Sequence, residues 1–86
     1  MHCFTVMLEG REDEQHYFVS FDVAAPDQKT AVSIAQDKAV CLGYSIVGVE
    51  DVDTQSISAL TVSTPQVLKV YGRSFFEPSE LGEGVS

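Results

Sequence analysis

The chain contains no tryptophan, only five basic residues and only two cysteines among 86 residues. The basic residues are scattered along the chain, whereas a nucleic-acid-binding protein usually carries them as a patch or stripe. Thirteen acidic residues bring the formal net charge to −8, and this excess repels phosphate backbones and anionic membrane surfaces. The composition therefore argues against nucleic acids and membranes as partners.

Long apolar runs are also missing. No run is long enough to span a bilayer. The apolar stretch at residues 3–8 is followed at once by charged residues and is not preceded by a basic segment, so it does not have the pattern of a secretion signal. Cys3 and Cys41 lack the spacing of a redox or zinc pair, and we expect them to be reduced thiols. These features predict a cytoplasmic protein.

The motifs of catalysis and of metal or phosphate binding are absent as well. The glycines never cluster after a strand as a phosphate-binding loop requires. The acidic run from Asp51 resembles the start of a calcium loop, but Ser56 stands where that loop needs glycine and Val62 where it needs glutamate. His2 and Cys3 offer two adjacent ligands, fewer than a structural zinc site uses. We therefore expect no metal, no cofactor and no catalytic activity.

Two segments with alternating apolar residues predict the first two strands, one around Phe4 to Leu8 and one from Tyr17 to Val23. The polar segment from Gly10 to Gln15 is short enough for a hairpin connection. Matching apolar residues across the hairpin predicts its register, because directly opposed residues project from the same face. The predicted pairs are Phe4 with Phe21, Val6 with Val19 and Leu8 with Tyr17 on one face, and Met7 with Phe18, Thr5 with Ser20, Cys3 with Asp22 and Glu9 with His16 on the other.

The segment between Asp27 and Gly43 predicts one amphipathic helix. Asp27 is a favourable N-cap, and Gly43 is a natural residue just beyond the helix because a left-handed backbone costs it little. At about 100° per residue, small and branched apolar side chains collect on one face. These side chains are Ala31, Val32, Ile34, Ala35, Ala39 and Leu42. We expect Lys38 at the edge of this face and Val40 in solvent.

The segment from Tyr44 to Val52 predicts a third strand, rich in β-branched residues around Gly48. Its facing stays open at this point. Either Tyr44 and Ile46 or Val47 and Val49 could lie toward the helix. The glycine itself suggests a β-bulge or a close backbone contact.

The C-terminal third is less regular. Residues 54–64, rich in serine and threonine, predict a loop with room for a short strand. The segment from Pro65 to Tyr71 fits a fourth strand, which its β-branched and aromatic content favours, or a short helix capped by Thr64 and ended by Gly72. Residues 77–86 have the composition of a disordered acidic tail.

These elements predict an α+β fold with the order β-β-α-β-β, in which the last element is a strand or a short helix. The simplest arrangement that buries the apolar faces is a two-layer sandwich, with one helix packed on a mainly antiparallel sheet of three or four strands. A helix of about 15 residues is roughly 22 Å long and covers only one face of such a sheet. We expect one domain at residues 1–76, followed by the tail.

The uncovered sheet face determines the functional hypotheses. Met7 and Phe18 on that face, and Phe75 and Phe76 near the C-terminus, are apolar residues that one helix does not bury, and they are the candidate interface residues. The leading hypothesis is a small acidic interaction module without catalysis, which self-associates as a homodimer through the open sheet face or binds another protein. Alternatively, Phe75 and Phe76 fold back over this face and complete the core of a monomer.

Two other classes of function stay open. In the first, a small apolar or amphipathic ligand is held between the sheet and Phe75-Phe76. In the second, an enzyme site forms only at an oligomer interface and uses polar groups of this domain. Its candidate groups are Glu9, His16, Asp22 and Tyr44.

Overall fold

The computed structural model describes residues 1–55 and 63–76. The elements of this part of the chain are β1 (His2–Glu12), β2 (Gln15–Ala25), α1 (Gln28–Cys41), β3 (Ile46–Thr54), β4 (Gln66–Val70) and β5 (Ser74–Phe76). An antiparallel sheet with one helix packed on it confirms the predicted α+β sandwich, and β5 extends the predicted order by one short strand. Most of the predicted loop at 54–64 and the whole predicted tail at 77–86 lie outside the described residues.

The sheet has the order β3-β1-β2-β4, and β5 also pairs with β2. All of these pairings are antiparallel. β4 pairs with the second half of β2 and β5 with its first half, so the two short strands follow one another along the same edge of β2. We call residues 66–76, which form this edge, the C-terminal arm.

The hairpin between β1 and β2 is tighter than predicted. Glu12 pairs with Gln15, so the loop is only Asp13 and Glu14. Asp13 has a φ of 58°, a left-handed conformation that two-residue hairpin loops require and that aspartate tolerates better than most residues. The strands thus continue into the polar segment that we expected to be a connection.

The tight loop makes the predicted register wrong by two residues. The pairs observed toward the helix are Phe4 with Val23, Val6 with Phe21 and Leu8 with Val19, and those on the other face are Cys3 with Ala24, Thr5 with Asp22, Met7 with Ser20 and Glu9 with Phe18. A shift of two leaves every side chain on its predicted face. On the helix side both registers give three apolar pairs, and the predicted pairing of Met7 with Phe18 on the other face favoured the wrong one.

Helix α1 begins and ends as predicted. Asp27 is the N-cap and accepts a hydrogen bond from the Thr30 amide at 2.8 Å, and Gly43 follows the helix with a φ of 83°. Val40 is 71% exposed, as expected. Leu42, which we expected to be buried, is 41% exposed, because it is the C-cap and lies beyond the last turn that touches the sheet.

The core lies between α1 and the sheet. Its largest fully buried side chains are Val6, Leu8, Tyr17, Val19, Phe21 and Val23. The helix contributes Ala31, Ala35 and Ala39, each with no exposed surface. Because alanine side chains are short, the helix axis can lie close to the sheet, and the larger strand residues fill the layer between them. The helix therefore covers this face, and no helix of residues 1–55 and 63–76 covers the other face of the sheet.

Strands β3 and β4 settle two open alternatives. Tyr44 and Ile46 pack against the core and Val47 is 59% exposed, whereas Val49 is directly opposed to the core residue Leu8 but is still 42% exposed on its outer strand. β3 begins and ends two residues later than predicted, and its pairing with β1 is irregular on both sides of Gly48. Residues 66–70 form a strand, so the alternative of a short helix there is wrong.

Candidate interaction surface

The sheet surface that α1 leaves uncovered, which we call the open face, is built from alternate residues of five strands. On β1 and β2 these are the residues between the core positions, and their directly opposed partners on β3, β4 and β5 share the face. Its members in the described residues include Thr5, Met7, Glu9, His16, Phe18, Ser20, Asp22, Asp51, Asp53, Lys69, Tyr71 and Phe76.

A shallow groove of about 410 Å³ crosses the open face between β1, β2 and the C-terminal arm. Its lining residues are Thr5, Met7, Phe18, Ser20, Tyr71, Gly72 and Ser74. Met7 and Phe18 are half-buried, and they lie diagonally across the strands rather than directly opposite each other as predicted. The groove combines apolar walls with several hydroxyl groups.

The two C-terminal phenylalanines lie on opposite faces of the sheet. Phe76 pairs with His16 and places its ring 4.6 Å from that of Phe18, centroid to centroid, on the open face. Phe75 pairs with Tyr17 and packs on its ring at 5.1 Å, on the helix side. The alternative in which both rings fold over the open face therefore holds for Phe76 and is wrong for Phe75. Adjacent residues of a strand project in opposite directions.

A hydrogen-bonded network centred on Asp22 borders the groove. The Thr5 hydroxyl donates to Asp22 Oδ1 at 2.7 Å, and Tyr71 donates to Asp22 Oδ2 at 2.8 Å. Gln55 Nε2 in turn donates to Thr5 Oγ1 at 2.6 Å. The network connects β1, β2, the end of β3 and the C-terminal arm, so it holds four parts of the chain in one arrangement.

The carboxylate of Asp22 also changes the acidity of its neighbours. Its hydrogen bond with Tyr71 raises the pKa of that phenol, because the bond stabilises the protonated form. Burial raises the pKa of the Cys3 thiol, and the negative charge of Asp22 adds to the effect. Cys3 is therefore a protonated thiol at neutral pH rather than a reactive thiolate.

His16 and Glu9, two of the four candidate groups of a composite enzyme site, form a close pair. His16 Nδ1 lies 2.8 Å from Glu9 Oε2, although their strand positions are diagonal because the register differs from the prediction. The His16 ring also lies against Phe76. Tyr44, the fourth candidate of a composite enzyme site, packs against Tyr17 in the layer of the helix. A single chain therefore does not bring the four candidate groups together.

The other candidate sites are dispersed. Cys3 is buried, whereas Cys41 is exposed at the end of the helix.

Within residues 1–55 and 63–76, no three side chains of His, Cys, Asp or Glu gather as metal ligands. No helix in the same ranges has the length and apolar content that crossing a membrane requires. A second hollow, of about 560 Å³, lies on the outer side of α1 and is lined by Gln28, Lys29, Val32, Ser33 and Gln36.

No protein-family model, no curated protein and no solved structure matches this chain at a significant level. The open face and its groove must therefore be interpreted from their own geometry and chemistry.

Two features of the structure around the C-terminal arm were not visible in the sequence. The Asp22 network joins residues that are up to 50 positions apart, and no local pattern marks such a contact. The second feature is Arg73, whose guanidinium lies against the rings of Tyr17 and Tyr44 on the helix side of the sheet. It is a lone cation within a short aromatic segment that contains Tyr71, Phe75 and Phe76, and that composition was the available signal.

Proposed function

We propose that the protein is a small acidic interaction module, without catalysis of its own, that self-associates through the open face of its sheet. The observation that carries this proposal is the distribution of apolar and charged groups on that face. Met7, Phe18 and Phe76 supply apolar surface around and beside the groove. Charged residues stand on the flanking strands β3 and β4, and the carboxylates of Glu9 and Asp22 on the central strands are hydrogen-bonded within the chain.

The charges suit a second copy in one orientation. Asp51 and Asp53 lie on β3, opposite Met7 and Thr5 of β1. Lys69 lies on β4 at the other side of the sheet. If two open faces pack about a twofold axis parallel to the strands, β3 of each copy lies over β4 of the other. Each acidic edge then meets the lysine of its partner, which favours this orientation over its alternatives.

The area of the open face determines how strong the self-association can be. Four strands about 4.8 Å apart span roughly 19 Å, and eight residues of a strand extend about 27 Å. Packing two such faces buries roughly 500 Å² per copy, or about 1,000 Å² in total, which is the lower limit of specific interfaces. A formal net charge of −8 on each copy also opposes association. We therefore expect a dimer that dissociates on dilution.

Sedimentation velocity of the purified chain over a wide range of concentration tests this proposal. The expected result is a weight-average sedimentation coefficient that rises from the monomer to the dimer value and then stays constant. A coefficient that stays at the monomer value up to the highest soluble concentration would overturn the proposal, and growth without a limit would indicate open-ended association instead of a closed pair.

A small ligand in the groove is a second candidate, and the hydroxyl groups of Thr5, Ser20 and Tyr71 beside Phe18 favour it. A volume of about 410 Å³ falls in the range of small-molecule sites. Such a ligand would have a flat apolar body with polar groups at its margin. Screening amphipathic compounds by their effect on the melting temperature tests this candidate, since a ligand that binds only the folded chain raises that temperature.

A further inference from the structure

The guanidinium group of Arg73 is surrounded by three aromatic rings on the helix side of the sheet. The Arg73 Cζ atom lies 5.2 Å from the ring centroid of Tyr17, 4.9 Å from that of Tyr44 and 5.0 Å from that of Phe75. Its Nη1 donates a hydrogen bond of 2.8 Å to Glu12 Oε1 at the hairpin end. The cation is thus bound by residues of β1, β2, β5 and the segment between α1 and β3.

An irregularity in the C-terminal arm turns Arg73 toward this side. The Tyr71 amide donates to the Ser20 carbonyl, and Ser74 pairs with Phe18. Gly72 and Arg73 together therefore stand opposite the single residue Val19, which is the arrangement of a β-bulge. Bulges change the direction of side chains along a strand, and this one places Arg73 on the side of the three rings.

The surrounding groups match a guanidinium in chemistry as well as in position. A guanidinium is a delocalised planar cation that is weakly hydrated and stacks on the electron-rich faces of aromatic rings. The ammonium group of lysine is compact and strongly hydrated, and it stacks on such rings less well. The Arg73 side chain is only 29% exposed, whereas that of Glu12 is 55% exposed. The hydrogen bond with Glu12 raises the pKa of Arg73, so the group stays charged throughout the ordinary pH range.

We propose that Glu12, Tyr17, Tyr44 and Phe75 form a guanidinium-binding site, which Arg73 occupies as a latch that holds β5 on the sheet. β5 has three residues, the short end of the usual range of strand lengths, so its pairing with β2 supplies few hydrogen bonds. Arg73 immediately precedes it and is anchored to the rest of the fold. The ring of Phe76, at the end of β5, rests on Phe18 and His16 of the open face.

The latch therefore connects the two faces of the sheet. When Arg73 leaves its site, β5 keeps only its three-residue pairing with β2 and the contacts of its own two rings, and we expect it to open more often and to uncover Phe18 each time. This consequence concerns one chain and does not depend on self-association through the open face. The experiment is accordingly done at a concentration at which the protein is monomeric.

The test uses Arg73→Ala with N-ethylguanidinium as the probe, because this small cation replaces the atoms that the substitution removes. Amide hydrogen exchange is followed in the peptide that contains Ser74 to Phe76. In Arg73→Ala the exchange of this peptide is expected to accelerate at least about tenfold, since release of the arm is a local opening. Millimolar N-ethylguanidinium should slow it again, whereas ethylammonium at the same concentration should not.

Arg73→Lys is the matched variant, because it keeps the charge and loses the planar fork. Faster exchange in Arg73→Lys as well as in Arg73→Ala supports a site for guanidinium. Exchange at the wild-type rate in either variant, or equal slowing of Arg73→Ala by both cations, would overturn the proposal. Unchanged protection of the β1 peptide shows that the fold is intact. If the β1 peptide loses its protection in Arg73→Ala, the variant Glu12→Gln is used instead. Faster exchange of the peptide from Ser74 to Phe76 is then expected, and an unchanged rate would count against the site.

Discussion

The ring of Tyr17 lies directly across Gly10, its partner on the neighbouring strand. A Cβ atom added at Gly10 would stand 2.3 Å from Cζ of Tyr17 and 2.5 Å from its hydroxyl oxygen. In the register predicted from apolar matching, Tyr17 would instead oppose Leu8, whose side chain needs the space that the ring occupies. The absence of a side chain at residue 10 therefore helps to select the observed register.

Replacing Gly10 by alanine is expected to destabilise the protein, because the ring of Tyr17 must move out of the core to admit a methyl group. Overpacking of this kind costs about 1–3 kcal/mol. Gly48→Ala is the control, since nothing lies within 4 Å of a Cβ added at that position. Urea denaturation of both variants measures the effect. Equal free energies of unfolding for the two variants would show that Tyr17 does not restrict residue 10.

The cap of α1 gives a pH-dependent prediction. The hydrogen bond from the Thr30 amide holds the pKa of Asp27 below its usual value. A lowered pKa in the folded state means that the stabilisation is complete above the pKa of the unfolded chain and is lost as the pH falls through the folded value. Asp27→Ala should therefore melt about 5 °C below wild type at neutral pH.

The same difference in melting temperature should shrink when the pH falls below the pKa of the folded carboxyl group. Asp27→Asn is the control, because asparagine caps a helix as well as aspartate does and has no charge to lose. A gap between wild type and Asp27→Ala that is equally large in acid would contradict a role for the ionised carboxylate.

The hydrogen bond between Tyr71 and Asp22 gives a prediction for the titration of Tyr71 at alkaline pH. The hydrogen bond to the carboxylate raises the pKa of Tyr71 above its usual value of about 10. Because the folded pKa is raised, the stabilisation is complete below the unfolded pKa and is lost as the pH rises through the folded value. In Asp22→Asn the Tyr71 pKa should fall, since the negative charge is gone.

Ring carbon chemical shifts in NMR spectra follow this titration residue by residue, and Tyr71→Phe identifies the signal. A Tyr71 midpoint at the same pH in wild type and in Asp22→Asn would mean that the bond does not control the acidity of the phenol.

The proposed orientation of the dimer predicts the effect of reversing the charges on its two edges. Lys69→Asp should weaken self-association, because each acidic edge then meets another acid, and Asp51→Lys with Asp53→Lys should weaken it by the opposite mismatch. A mixture of the two variants should form a heterodimer with complementary edges, measured by sedimentation of a labelled partner. If the mixture associates no better than either variant alone, the two edges do not face each other.

Much of the fold follows from local patterns in the sequence. The strand alternation, the aspartate cap and the glycine after the helix each act within a few residues, and the structure has all three. The register did not follow, because two registers satisfy the same alternation and the choice depends on a two-residue turn and on Gly10. A turn with a left-handed aspartate carries a weak signal when glycine is absent from it.

The candidate site was predictable only in part. The alternation placed Met7 and Phe18 on the face that the helix leaves open, where the structure has them. It could not place Phe75 and Phe76, since their faces depend on the bulge at Gly72 and Arg73. The Asp22 network and the aromatic site of Arg73 depend on contacts between distant segments, which periodicity does not encode.

The most direct test of the open face as the self-association surface compares Met7→Asp with Val40→Asp. Both substitutions add one negative charge in place of an apolar residue, the first beside the groove and the second on the outer side of α1. With folding verified by circular dichroism, sedimentation velocity should find Met7→Asp monomeric at concentrations at which wild type and Val40→Asp are dimers. A dimer of undiminished strength in Met7→Asp, or its loss in Val40→Asp alone, would contradict the account.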